Sequence, residues 1–190
     1  MPASLDVQVL QTAASLENLA VSCYRATARL TAVRTGDRLL AGFLARTRAQ
    51  HAAHADAFNS AVTRAGGKPQ HAPDPRYAAP VRQALASLTG VASVVSLLEA
   101  LEDAKAQTYT RYASLAGQGL RSMFVSVASV EAGHRAYLLA TLKLLSVGPG
   151  GLSGGPDRLA ELPGVVGGSC CPHAFYPTAE SSAVDEGVVR

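Results

Sequence analysis

The sequence predicts an all-α protein built around a bundle of four helices, arranged as two tight antiparallel hairpins joined by one long crossover. Three observations carry this. The chain is Ala-rich, 48% apolar and only 5% aromatic, and its β-branched residues never alternate with polar ones over a long stretch, a composition that favours helix over strand. Apolar residues recur at three- and four-residue spacing through four long segments. Prolines cluster between the second and third of these segments. At 190 residues the chain is long enough to bury one core and too short for two comfortable ones.

The first helix is predicted over residues 5–33, with Leu10, Ala13, Leu16, Ala20, Tyr24 and Leu30 on its apolar stripe and a break at Thr35, Gly36 and Asp37. The second spans 38–65 through Leu40, Leu44, His51, His54, Phe58 and Val62, and stops at Gly66 and Gly67, which suit a helix C-cap. A join of so few residues makes the two helices antiparallel neighbours. Pro69, Pro73, Pro75 and Pro80 cannot all lie inside one continuous helix, so the next stretch reads as a long connection with one short helix at 81–87. The third and fourth helices follow at 91–116 and 120–146, again with a short join at Gly117 and Gly119. Beyond Ser146 the composition turns Gly- and Pro-rich, which divides the chain into a bundle, 1–146, and a tail, 147–190. The tail reads as irregular, draped over the bundle or mobile, with a short helix near 158–162.

Charge and cysteine usage narrow the function classes. Seventeen basic and 14 acidic residues are scattered without a run of like charge or a basic stripe with interleaved aromatics, which argues against a nucleic-acid partner. No stretch of about 18 apolar residues occurs, so no membrane span is expected, and the absence of a charged leader before an apolar core points to a cytoplasmic protein. Cys23, Cys170 and Cys171 do not form a disulfide framework. Cys23, inside the first helix, reads as a buried free thiol.

The functional signal is a repeat. Glu17 is followed seven residues later by Tyr24 in the first helix, and Glu102 by Tyr109 in the third; seven residues is two helical turns, so each pair shares a face. The second helix carries His51-Ala-Ala-His54 and the fourth Glu131-Ala-Gly-His134. The first pair of motifs is offset by 85 residues and the second by 80, as expected of a duplicated helical hairpin. These polar residues lie on apolar stripes, Glu131 between Phe124 and Leu138 for example. Taken alone, Glu17 suits a rim or a satisfied buried carboxylate, and His51 and His54 suit a solvated face. An ionisable group in a bundle core costs several kcal/mol unless it is paired or bound to metal, and six together call for one explanation. Tyr24 and Tyr109 read as core aromatics with bonded hydroxyls.

On these residues, over about 5–146, the chain resembles the bacterial ferritin-like domain proteins, including those described as desiccation-related, in which each half supplies a Glu from its first helix and a Glu-x-x-His from its second. The resemblance implies two metal ions in the bundle core and makes Glu17, His54, Glu102, Glu131 and His134 ligands. His51 stands where the family pattern has Glu. With it the expected ligand set of Glu17, His51, His54, Glu102, Glu131 and His134 brings three carboxylates rather than four, and the site then holds two ions asymmetrically, holds one, or has lost metal. Glu99, one turn before Glu102, competes with it. Iron or manganese is the expected metal, and the added imidazole admits zinc. The implied chemistry is that of a di-metal oxidoreductase or a metal-handling protein: metal oxidation, peroxide removal or oxidation of a small substrate. The alternative, favoured by His51, is a metal-free helical scaffold that binds a partner or assembles through its faces. Homo-oligomer formation is left open. In the tail, Cys170-Cys171-Pro172-His173 offers a second soft-metal site or a redox pair, with an inert role at least as well supported.

Overall fold

The computed structural model describes residues 3–36, 38–147 and 176–189. Its helices are α1 (Leu5–Thr27), α2 (Thr31–Arg34), α3 (Arg38–Arg64), α4 (Pro75–Ala86), α5 (Val91–Leu115) and α6 (Gln118–Val147), with no strand among the described residues. The long helices α1, α3, α5 and α6 form the bundle. α1 pairs chiefly with α3 and α5 with α6, and α1 also packs on α5 across the two hairpins.

Helix ends follow their local chemistry. Ser4 caps α1 by accepting from the Val7 amide at 3.4 Å, and Asp6 sits in the first turn, where a carboxylate favours the helix dipole. The helix expected over 5–33 breaks in two. Thr27 ends α1 with its hydroxyl donating to the Cys23 carbonyl at 3.1 Å, and Leu30 adopts extended geometry (φ −65°, ψ 135°) before α2 restarts. The apolar period runs on through the break because Leu30 and Val33 still reach the core. α3 closes with Gly66 at φ 78° in the left-handed region, where the Gly66 amide bonds the Thr63 carbonyl and the Gly67 amide that of Val62. This is the Schellman pattern, which glycine adopts without a Cβ penalty.

The crossover helix is longer than the one expected at 81–87. Asp74 caps α4, accepting from the Tyr77 amide at 3.1 Å, and Pro75 takes the first position, where its missing N–H costs nothing. Pro80 lies in the second turn, giving up a single backbone bond while Val81 and Tyr77 pack on the core.

The core consists of two apolar clusters, one holding Leu19, Tyr24, Phe43, Leu44, Leu98 and Leu138, the other Leu10, Leu16, Phe58, Tyr109 and Phe124. Each long helix passes from one cluster to the other, at about 2 kcal/mol of burial per large side chain. At the crossing point each carries a buried ionisable residue: Glu17 in α1, His51 in α3, Glu102 in α5 and Glu131 in α6. Cys23 is buried as a free thiol, as expected, and burial together with Glu102 pushes it up to about 12.

Residues 176–189 lie along α1, α4 and α5. Tyr112 donates to the Ala183 carbonyl at 2.8 Å, the Ser182 amide donates to Thr108 at 3.0 Å, the Gly187 amide donates to Thr12 at 2.9 Å, and Tyr77 donates to the Glu180 carbonyl. The helix expected at 158–162 and the Cys170-Cys171-Pro172-His173 motif fall outside the described residues. Among the described residues no helix is long and apolar enough to cross a membrane.

Candidate metal centre

All six side chains singled out in the sequence meet in one place. Glu17, His51, Glu102 and Glu131 are fully buried, His134 is buried, and the His54 side chain is 17% exposed. They form two overlapping groups whose ligand atoms lie within 4.8 Å of one another: Glu17, His51, His54 and Glu131, and His51, Glu102, Glu131 and His134. Glu99 is not in either group; it takes Arg135 instead, at 2.7 Å.

The tyrosines tie the two hairpins together across the site. Tyr24 of the first donates to Glu102 Oε1 of the second at 2.6 Å, and Tyr109 of the second donates to Glu17 Oε1 of the first at 2.6 Å. Burial and the adjoining carboxylates raise both phenols well above their usual value, so each keeps its proton and donates it. Gln50 Oε1 lies 2.9 Å from His134 Nε2, an arrangement that places the proton on Nε2 and turns Nδ1 towards Glu131 Oε2 (3.2 Å) and Glu102 Oε2 (3.5 Å). An outer hydrogen bond of this kind orients a metal-ligating imidazole.

One participant is absent from the sequence-based set. Lys105 is fully buried, and its Nζ stands 2.8 Å from His51 Nδ1, 3.1 Å from Glu17 Oε2, 3.0 Å from Glu131 Oε2 and 3.6 Å from Glu102 Oε2. Burial opposes its charge, and the three carboxylates more than restore it, so the amine stays an ammonium. The signal was present: Lys105 is three residues after Glu102 and four before Tyr109, on the stripe already assigned to the site. Glu17 is driven up by burial but held down at about 2 by Lys105 and His51, and Glu102 is lowered for the same reasons. For His51, burial and Lys105 act downward, and Glu102 and Glu131 prevail to raise it to about 9. A protonated His51 donates Nδ1–H towards Glu17 Oε2 and Nε2–H to Glu102 Oε1, both at 3.0 Å. The ammonium beside Nδ1 is then a repulsion that these carboxylates offset. Both nitrogens of His51 are engaged either way, which leaves Glu17, His54, Glu102, Glu131 and His134 as the side chains with donor atoms to offer.

A family model described as Ferritin-like domain matches residues 5–144. The chain belongs to the ferritin-like domain family. No curated protein and no solved structure matches it. Ferritin-like bundles commonly carry metals at this depth, and the cluster offers carboxylate and imidazole donors for that use. Glu17 Oε2 and Glu102 Oε2 are the two buried side-chain oxygens, among the described residues, that make no hydrogen bond, and their near neighbours are cationic or imidazole nitrogens. Three carboxylates against one ammonium leave a formal charge of −2 when the imidazoles are neutral. In that state the cluster is compatible with a divalent cation.

Proposed function

We propose that this ferritin-like protein binds a transition-metal ion in its bundle core, iron or manganese before zinc, and uses it in oxidation chemistry or metal handling. The observation that carries this reading is the buried cluster of carboxylates and imidazoles, with an unbonded oxygen on Glu102 facing a His134 whose free nitrogen Gln50 has aimed inward. A set rich in carboxylate suits iron and manganese, and each imidazole moves the preference towards zinc. When bound, such an ion supplies one-electron exchange with dioxygen or peroxide. The chain's own residues do the rest: Tyr24 and Tyr109 orient Glu102 and Glu17, and Phe43, stacked on Tyr137 at 4.0 Å and edge-on to His134, helps keep water from the ring.

The second reading, a metal-free scaffold, is favoured by Lys105, whose ammonium neutralises part of the cluster without metal. Elemental analysis of protein purified without chelator, alongside Glu131→Ala, separates the two. Metal in the wild type and its loss in the variant is the expected result; less than about 0.2 ion per chain in both would leave only the scaffold.

A further inference from the structure

The two halves of the cluster differ at two positions, and these two positions touch. His51 stands opposite Glu131 in the repeat, and Lys105 stands opposite Ala20, each three residues after its helix's Glu. Lys105 Nζ is 2.8 Å from His51 Nδ1. Its closest contacts are His51, Glu131 and Glu17; His51 and Glu131 belong to both candidate groups, and Glu17, at 3.1 Å, belongs to the first alone. The second group keeps Glu102 Oε2, 3.6 Å from the amine and bonded to nothing, together with Glu131 and the Nδ1 of His134.

We propose that Lys105 is a resident cation in the first of the two metal positions, so that the core takes a single divalent ion, held by Glu102, Glu131 and His134. This rests on the metal-binding reading above. The charge count agrees: with neutral imidazoles, three carboxylates are met by one divalent ion and one ammonium, which lies 3.1 Å from Glu17 and 3.0 Å from Glu131. A cation tethered to α5 costs no binding equilibrium, and it bars a second ion both by volume and by repulsion.

The test is manganese(II) binding by equilibrium dialysis, with electron paramagnetic resonance of the loaded protein. The wild type is expected to bind one ion with the six-line signal of an isolated centre. Lys105→Met, purified with manganese present so that the ion supports folding, is expected to bind two, with an exchange-coupled signal. His134→Ala should lose the ion of the wild type, and His54→Ala should keep it. Two ions or a coupled signal in the wild type would overturn the proposal without any need for the variant. One ion in both the wild type and Lys105→Met, or loss in His54→Ala with retention in His134→Ala, would overturn it and leave metal binding intact. No ion in either wild type or Lys105→Met would remove the metal-binding reading itself.

Discussion

The first hairpin and the second place their tyrosines and first glutamates alike, yet they neutralise those glutamates by different means. In the second hairpin Glu102 faces Glu131 and a His134 oriented by Gln50. In the first, Glu17 faces His51 and an ammonium contributed by the other hairpin. The two halves share one geometry, and two side chains in mutual contact, His51 and Lys105, make their surroundings unlike. Both differences move the cluster's charge in the same direction, His51 standing where a carboxylate would be and Lys105 adding an ammonium, so together they lessen the positive charge that the buried carboxylates need from a bound ion.

The strongest way to break the comparison is to remove the ammonium. Lys105→Met in metal-free protein leaves three carboxylates facing one another and is expected to cost about 3–5 kcal/mol, a fall in melting temperature of roughly 10 °C for a chain of this size. Scanning calorimetry with and without manganese checks it: the ion should recover most of the loss. His51→Glu with Lys105→Ala makes the two halves match at both positions, and dialysis should then find two ions.

Protonation gives the next largest effect. His51, raised from 6.5 to about 9, stabilises the metal-free fold fully below pH 6.5 and progressively less as pH rises to 9. His134 is raised as well and acts in the same sense. Glu17, lowered from 4.5 to about 2, contributes fully above pH 4.5 and less as pH falls towards 2. Metal-free protein should therefore be most stable between about pH 4.5 and 6.5, with a loss on the order of 3 kcal/mol on the alkaline side, read by urea titration across pH. His51→Gln should flatten the alkaline limb.

Tyr24→Phe and Tyr109→Phe each remove a hydrogen bond to a buried carboxylate and should each cost about 1.5–3 kcal/mol. Equal losses on denaturant unfolding would show that the tyrosine bonds keep a symmetry that His51 and Lys105 break. Gln50→Leu releases the His134 ring and should weaken manganese binding about tenfold with little change in stability, measured by titration calorimetry. Among the described residues His54 has no such outer partner, so the first hairpin offers no corresponding variant.

The bundle was legible in the sequence because its period is a direct record of burial: Leu10, Leu16, Leu44 and Leu138 all sit where the stripe puts them. The cluster was legible for the converse reason, since Glu17 and Glu131 interrupt that stripe. Lys105 escaped because a lysine three residues after a glutamate on a helix reads as an exposed ion pair, and lysines normally extend their heads to water. The start of α4 escaped because Asp74 and Pro75 mark a helix N-terminus only when Pro80 is accepted five residues on. That the tail could drape over the bundle was legible, but where residues 176–189 dock was not, because bonds such as Ser182 to Thr108 and Tyr112 to Ala183 join backbone to side chains more than 70 residues away, a relation with no period.

Those terminal bonds bear on the order of assembly. Thr12 pairs with Val184 and Gly187, across 172 and 175 residues, and Gln11, Asp74 and Tyr112 also meet partners from the same segment. During synthesis the seam between α1 and α5 stays unsealed until residues 176–189 have emerged, because they carry hydrogen-bonding partners of both helices. Protein cut before Tyr176 should form its helices yet exchange the amide protons along that seam faster than the full chain, while the amides of α3 and α6 keep their protection.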